Sequence, residues 1–140
     1  MIWIKPAKKW NLRDLLAARR LKNAAFLSAR EVGSLEHFLW WLRDDGWKGC
    51  HFLLSGRQRI GYARVNHLGT VSIMVEEEYR GRGYGLDLLI HLRWAEKGTL
   101  IANVEAGNAA SSALFKKAGY VESPVPGYSA NYRTMVSYDR

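Results

Sequence analysis

The chain has 140 residues and a net charge of +8, from 21 Lys and Arg against 13 Asp and Glu. We place a single domain over residues 1–140, because this length supports one hydrophobic core and not two. The first residues form neither a long apolar run nor a small-residue cleavage site, so we expect no signal peptide and no membrane span. The lone Cys50 excludes an internal disulfide and suggests no metal site. Together these features predict a cytoplasmic protein.

The positive charge is concentrated at the start of the chain. Residues 1–30 hold eight Lys or Arg and one acid, Asp14, which leaves eight minus one, or +7. Such a region attracts polyanions, so nucleic acid is one candidate partner. A coenzyme or sugar nucleotide with several phosphates is the candidate that we favour, because no aromatic residues are interleaved at a base-stacking spacing. A solvated helix face is the third interpretation.

Strands and helices alternate along the chain with periods of 2 and 3.6 residues. The expected elements, in order, are strand 2–5, a helix from Asn11, helix 34–42, strands 49–55, 58–67 and 69–75, a helix that Gly98 stops, strand 99–104, helix 108–118 and strand 132–138. The three consecutive strands suggest an antiparallel meander. The order β-α-α-β-β-β-α-β-α-β predicts an α/β or α+β fold, with a mixed central sheet and helices on both faces.

A glycine-rich turn separates strand 69–75 from the helix that follows. Gly81, Gly83 and Gly85 let consecutive backbone N–H groups curl around one point, and the start of the helix adds the positive end of its dipole. The P-loop spacing is absent, and these glycines are too close together for the dinucleotide fingerprint. The turn therefore predicts a pyrophosphate site, with a tight turn that binds nothing as the alternative.

A second segment, residues 104–120, reads as strand, short loop, helix and stop. Asn108 is a good N-cap residue, and two lysines occupy the last helical turn, where the helix dipole favours cations. Gly119 then suits the position that ends a helix. The segment predicts a helix whose N-terminus lies directly after a strand.

Both segments resemble signatures of the GNAT family of N-acetyltransferases. The run Arg80-x-x-Gly83-x-Gly85 is similar to the family's (Gln/Arg)-x-x-Gly-x-(Gly/Ala) turn, which cradles the pyrophosphate of acetyl-coenzyme A. Residues 108–120 resemble the second signature, Asn-x-x-(Ala/Ser)-x-x-Leu-Tyr-x-x-x-Gly-(Phe/Tyr), at each position except 115. The resemblance covers almost the whole chain. It implies an enzyme that transfers acetyl from acetyl-CoA directly to a primary amine.

The resemblance also implies a cofactor site. In the family, the strand before the glycine turn and the strand ending near Val104 splay apart and admit the pantetheine arm. Backbone groups of Ile73 and Val75 would bind the pantetheine and polarise the acetyl carbonyl, and the amide of Asn108 would reach the pantetheine amide. The full set of implied cofactor residues is Ile73, Met74, Val75, Arg80, Gly81, Arg82, Gly83, Tyr84, Gly85, Asn108, Ser111 and Phe115.

Phe115 is the main departure from the family pattern, because many members have at this position a tyrosine that protonates the leaving thiolate. Tyr120, Ser112 or an ordered water would take its place. Departure without an acid costs about 2 kcal/mol, because a thiol pKa near 8.5 lies about 1.5 units above neutrality. The alternative is a protein that binds coenzyme A without fast turnover.

The general base is less determined by the sequence. Glu105, at the end of the splayed strand, is the residue that we select. His67 and Glu76, which flank strand 69–75, are the other candidates. A surface histidine and a solvated acidic turn are the plainer interpretations of those two residues.

An acceptor site is indicated by helix 34–42, where His37 and Trp40 lie at i and i+3 on one face. With Arg20 and Asn23 upstream, they resemble the subgroup that contains nucleotide-sugar and ribosomal-protein N-acetyltransferases. The expected acceptor is a small-molecule amine such as an amino-sugar nucleotide, with a protein N-terminus or a binding module for nucleic acid as alternatives. Core packing explains this helix equally well. The sequence leaves a homodimer open.

Overall fold

The computed structural model describes residues 1–25, 34–123 and 131–138, with side chains omitted for 20–25 and 34. The helices and strands are β1 (Ile2–Pro6), α1 (Leu12–Ala25), α2 (Ser34–Leu42), β2 (Cys50–Ser55), β3 (Gln58–Val65), β4 (Val71–Val75), α3 (Tyr84–Ala95), β5 (Leu100–Glu105), α4 (Ala109–Lys117), β6 (Val121–Glu122) and β7 (Tyr132–Ser137). This order confirms the predicted fold class. The sequence missed β6 and a 3₁₀ turn at Glu77–Tyr79, which are too short to show a period.

The turn between β3 and β4 is longer than the sequence predicted, so β3 ends two residues earlier than expected and β4 begins two residues later. The side-chain oxygen of Asn66 accepts hydrogen bonds from the backbone N–H groups of Leu68 and Thr70, each at 2.9 Å. An Asn side chain that bonds its own following backbone replaces the strand ladder with a local turn. Residues 66–69 therefore belong to the turn, and β4 starts at Val71.

The strands form two antiparallel sheets that meet at a single point. One has the order β1-β2-β3-β4 and the other the order β5-β7-β6. Within the described residues, one parallel bridge between Thr70 and Ile101 joins them, supported by a 2.8 Å hydrogen bond from Ile101 N–H to the Gly69 carbonyl. Beyond this bridge β4 and β5 diverge. The result is the predicted mixed sheet with a V-shaped opening between the two splayed strands.

Helices cover both faces of the four-stranded sheet because its strands alternate apolar residues on the two sides. Leu53 packs in the cluster that contains α3 and α4, whereas Phe52 and Leu54 pack in the cluster that contains α1 and α2. Leu88 and Leu92 of α3 are completely buried. Each contributes about 1.5–3 kcal/mol by leaving water. Within the described residues, no helix is long and apolar enough to cross a membrane.

Helix α1 is fixed to the sheet by a buried ion cluster. The carboxylate of Asp14, which is 0% exposed, accepts hydrogen bonds from Arg59 Nε at 2.8 Å and from the Lys8 backbone N–H at 3.0 Å. The ammonium group of Lys5 lies 3.6 Å from the same carboxylate. Part of the basic character of the N-terminal region is therefore neutralised inside the fold.

Candidate functional site

A cavity of about 590 Å³ lies where β4, the glycine turn and α4 meet. Eleven of the twelve predicted cofactor residues line it, and Arg82 is the exception. The guanidinium of Arg82 lies instead over the Tyr79 ring, 5.5 Å from its centre. Four further lining residues were not predicted: Tyr79, Leu86, Ala110 and Leu114. Of these, Leu114 is the leucine of the second signature, and the other three carry no motif signal.

The glycines of the turn are required for two different reasons. Gly81 and Gly83 have φ angles of +76° and +87°, which side-chain-bearing residues rarely adopt. A Cβ atom at either position would meet nothing within 4 Å, so the space above the turn is open. At Gly85 a Cβ would lie 3.1 Å from Leu114 Cδ2, and glycine there allows α3 to approach α4.

The N-terminus of α3 presents free amide groups to the cavity. Its first helical hydrogen bond runs from Asp87 N–H to the Gly83 carbonyl, at 3.1 Å. The preceding amides, from Gly83 to Leu86, therefore have no acceptor within the helix. Together with the helix dipole, they form a site for a phosphate group. Arg80 ties this turn to β4, because its Nε donates to the Val75 carbonyl at 2.8 Å.

The free edge of β4 faces the V-shaped opening. Glu76 N–H donates to the Ile60 carbonyl of β3 at 2.9 Å. Backbone groups point alternately to the two sides of a strand, so those of Met74 also face β3, and those of Ile73 and Val75 face the opening. The Ile73 N–H is therefore directed into the V, while the Val75 carbonyl is already bonded to Arg80.

Asn108 caps α4, as its sequence position predicted. Its side-chain oxygen accepts a hydrogen bond from Ser111 N–H at 3.1 Å. This bond uses one of the two lone pairs of the amide oxygen and leaves its NH₂ hydrogens for another partner. The contact between Asn108 and a ligand stays a prediction.

The two aromatic residues after the cap of α4 are both buried. Phe115 lines the cavity, and its ring contacts the Tyr120 ring edge to face with centres 5.0 Å apart. Tyr120 is 2% exposed and does not line the cavity. Among the described residues its hydroxyl has no hydrogen-bond partner, and the same holds for the Ser112 hydroxyl. Burial raises the pKa of Tyr120 to about 12, and nearby Arg93 opposes this shift.

The three candidate bases lie outside the cavity lining. Glu105 is exposed at the end of β5, and His67 is exposed in the β3–β4 turn. Thr70 pairs with Ile101 in a parallel bridge. Met74 and Glu105 each lie four residues further along their strands, so they would be neighbours if the strands stayed paired. Because the strands splay, Glu105 lies across the opening from Met74, on the same face of the sheet.

Helix α2 packs against α1 through the residues predicted to bind the acceptor. His37 is 2% exposed, and its Nε2 lies 3.1 Å from the Leu15 carbonyl. The Trp40 ring contacts the His37 ring with centres 5.2 Å apart, and the guanidinium of Arg64 lies 4.7 Å from the Trp40 ring centre. Neither His37 nor Trp40 lines the 590 Å³ cavity. The side chains of Arg20 and Asn23, also part of this prediction, are outside the described residues.

The sequence analysis did not select Arg64, although a charged residue inside an otherwise buried strand is a recognisable signal. The structure puts it on the same sheet face as Met74, against α2. As for metals, the described ranges contain no group of three His, Cys, Asp or Glu side chains that could hold an ion.

A family model described as an acetyltransferase (GNAT) domain matches residues 36–122, more than half of the chain. The chain belongs to the GNAT acetyltransferase family. Its fold matches a ribosomal-protein-alanine N-acetyltransferase from Brucella melitensis with 26% identity, a TM-score of 0.76 and coverage of 97% of this chain and 99% of that chain. No curated protein sequence matches this chain.

Two more distant solved structures show the same fold. One is yncA from Salmonella typhimurium, solved with its cofactor acetyl-CoA, with 21% identity, a TM-score of 0.74 and coverage of 99% of this GNAT chain and 94% of that chain. The other is a spermidine N-acetyltransferase from Vibrio cholerae, solved with CoA and spermine, with 14% identity, a TM-score of 0.72 and coverage of 99% and 95%. The family assignment confirms the predicted N-acetyltransferase with acetyl-CoA as co-substrate.

Proposed function

We propose that this N-acetyltransferase acetylates a small-molecule amine, an amino-sugar nucleotide being the class that we favour, by direct attack on acetyl-CoA. The observation that carries the proposal is the cavity itself, in which the amides of the glycine turn, the free edge of β4 and the Asn108 amide face one space. A ligand with an anionic head and a long amide-bearing arm fits this combination of groups.

In the proposed complex, the pyrophosphate of acetyl-CoA accepts hydrogen bonds from the amides at the N-terminus of α3. The pantetheine arm then follows the edge of β4, where the Ile73 N–H donates to the arm or to the thioester oxygen. The NH₂ group of Asn108 donates to the arm from the other side of the V. These contacts hold the thioester in the opening, where the amine attacks its carbonyl carbon and the thiolate departs.

Glu105 is the base that we propose for the amine, because it lies across the opening from Met74 and is exposed to solvent. The demand on it depends on the acceptor. A lysine-like amine with a pKa of about 10.4 costs roughly 4–5 kcal/mol to deprotonate at pH 7, whereas an amine near 8 costs about 1–1.5 kcal/mol. A weakly basic amine is therefore the better match for one exposed carboxylate.

Tyr120 is the proposed proton donor to the thiolate. Its raised pKa of about 12 keeps the hydroxyl protonated throughout the neutral range. Phe115 lines the cavity and its ring contacts Tyr120, which does not line the cavity, so we propose that the Phe115 ring moves to allow proton transfer. If it does not move, the thiolate departs unprotonated, at the cost of about 2 kcal/mol given above.

A protein N-terminus is the second candidate acceptor. The observation that favours it is the likeness to the Brucella ribosomal-protein-alanine N-acetyltransferase, which extends over nearly all of both chains. An α-amino group is also weakly basic, with a pKa near 8, so Glu105 would serve either acceptor.

The test is release of free thiol from acetyl-CoA with a panel of amino sugars, amino-sugar nucleotides, peptides with a free N-terminus and polyamines. We expect Glu105→Gln to lower kcat/KM about 100-fold at pH 7, with a smaller loss at high pH, where more of the amine is already neutral. Glu122→Gln, on the surface strand β6, is the matched control and should keep full activity.

Tyr120→Phe should lower kcat and leave the affinity for acetyl-CoA unchanged. An unchanged kcat in that variant would remove Tyr120 from the mechanism. Absence of thiol release with every amine, in protein that still binds acetyl-CoA, would contradict the proposed function as a whole.

A further inference from the structure

Arg64 of β3 is partly buried on the α1/α2 face of the sheet, and its Nε atom is completely buried. Within the described part of the chain this Nε makes no hydrogen bond, and no ion pair to the guanidinium is found there. Arg59, five residues earlier on the same strand, is by contrast bonded to the Asp14 carboxylate. A buried polar atom normally has a hydrogen-bond partner, so the two arginines of β3 differ in a way that requires explanation.

The Arg64 guanidinium is nevertheless held in place. It lies 4.7 Å from the centre of the Trp40 ring, a distance at which the face of an indole attracts a cation. Trp40 is itself fixed, because its ring packs directly on Gly46, where even a Cβ atom would come within 2.4 Å of it. The planar fork of Arg64 is therefore oriented before any ligand arrives.

Arg64 is close to the place where the amine is proposed to react. It pairs with Ser72 across β3 and β4, and the next residue pair on the same face is Tyr62 with Met74. The diagonal from Arg64 to Met74 is therefore about 7–8 Å between Cα atoms. Glu105 lies across the V from Met74, so this sheet face carries a carboxylate on one side of the opening and an arginine on the other.

Part of the Arg64 side chain reaches open space at the bridged end of the V, where Gly69, Thr99 and Leu100 share its surroundings. Arg64 lines a depression of about 560 Å³ between the end of α2, the β3–β4 turn and the end of α3. Two of the acids in its lining are already engaged, Asp45 with Lys48 at 3.2 Å and Glu96 with His51 at 2.9 Å. Three further ionisable residues line it: Asp44, His67 and Lys97.

We propose that Arg64, oriented by Trp40, binds an anionic group of the acceptor, so that the substrate is an amine that also carries a phosphate or a carboxylate. A guanidinium recognises either group through two parallel N–H donors. The amine of such an acceptor faces Glu105 and its anion faces Arg64. This inference rests on the proposed direct transfer to an amine in the V, and it excludes polyamines, which have no anion to offer.

The test compares amine acceptors with and without an anionic group. Glucosamine is paired with glucosamine 6-phosphate and with a UDP-linked amino sugar, alaninamide is paired with alanine, and spermidine is the cationic reference. We expect at least one anionic acceptor to exceed its uncharged counterpart in kcat/KM by roughly 10- to 100-fold, the range of one charge-assisted hydrogen bond. Preference for the phosphates or for alanine identifies which anion is recognised.

The variant Arg64→Gln should raise KM for the preferred anionic acceptor until its kcat/KM approaches that of its uncharged counterpart, and Arg64→Lys should restore part of the preference. Arg57→Gln, which removes a charge from the exposed β2–β3 turn, is the matched control. Calorimetry with acetyl-CoA shows that each variant is folded, because Arg64 does not line the cofactor cavity.

The outcomes separate the two proposals. Equal or better turnover of uncharged amines or spermidine, or a preference that persists in Arg64→Gln, overturns the role of Arg64 and leaves the acetyltransferase mechanism intact. If no amine of any charge releases thiol, the proposed transfer to a small amine fails, and the role of Arg64 fails with it.

Discussion

The halves of this acetyltransferase that we propose for the cofactor and for the acceptor are built by contacts of different range. In the proposed cofactor half, the anion site is formed by seven consecutive residues, 80–86, and the α4 cap joins Asn108 to Ser111. In the proposed acceptor half, the face covered by α1 and α2, Asp14 bonds Arg59, 45 positions away, and His37 contacts Leu15, 22 positions away. A ligand site made by one turn survives divergence as a motif, whereas one made by distant residues leaves no pattern in the sequence.

The largest expected effect is a loss of folding stability when the long-range contacts of Asp14 are removed. Asp14→Asn leaves the buried Arg59 guanidinium without a countercharge and should reduce the free energy of unfolding by about 3–5 kcal/mol. Denaturant unfolding measures it. The double variant Asp14→Leu with Arg59→Met removes both charges and should recover most of the loss. A single variant that costs less than 1 kcal/mol would show that the cluster is not the anchor of α1.

A single glycine substitution in the turn before α3 should weaken cofactor binding, and the chain offers a matched control for it. Gly83→Val fills the open space above the turn and should weaken acetyl-CoA binding by roughly 100-fold, about 2.7 kcal/mol. Gly56, in the β2–β3 turn, also has a positive φ and an open Cβ position. Gly56→Val should therefore cost similar folding stability, of order 1–3 kcal/mol, without affecting the cofactor.

Calorimetry with acetyl-CoA on both glycine variants measures this difference. Equal affinity of the two variants would mean that the turn does not hold the pyrophosphate.

The smallest expected effect is a pH dependence of stability, which arises at a chain of hydrogen bonds between the sheet and α3. His91 Nε2 lies 3.0 Å from His51 Nδ1, and His51 Nε2 lies 2.9 Å from Glu96 Oε1. Burial and the neighbouring His51 lower the pKa of His91 below its ordinary 6.5, and Glu96 opposes this. Asp87, one turn earlier on α3, is exposed. Below pH 6.5 the unfolded chain thus binds more protons at this position than the folded protein, so stability falls as the pH falls.

Thermal unfolding between pH 7.5 and 5 tests the expected pH dependence. The melting temperature should decrease toward pH 5, and the decrease should be smaller in His91→Gln. His67→Gln removes an exposed histidine of the β3–β4 turn and should keep the wild-type pH dependence. An identical slope in all three proteins would assign the pH dependence to other groups.

Sequence reasoning predicted the elements whose signals are local. Strands and helices with a clear period were found in the right order, and eleven of the twelve proposed cofactor residues line one cavity. The structure gives two of the predicted cofactor residues a contact of their own inside the fold. Arg82 stacks on Tyr79 and does not line the cavity, and the Asn108 oxygen is used by the helix cap. A two-residue strand such as β6 is too short to carry any period.

By itself, the sequence determined the family, the order of the elements and the glycine turn, because glycine spacing and helix caps act through backbone geometry over a few residues. Only the tertiary structure decided that Asp14 is neutralised by Arg59, that Phe115 lines the cavity while Tyr120 does not, and that no acid of the described residues pairs with Arg64. Those outcomes depend on which strands become neighbours and on which charges lose their water, and both are set by packing across the whole sheet.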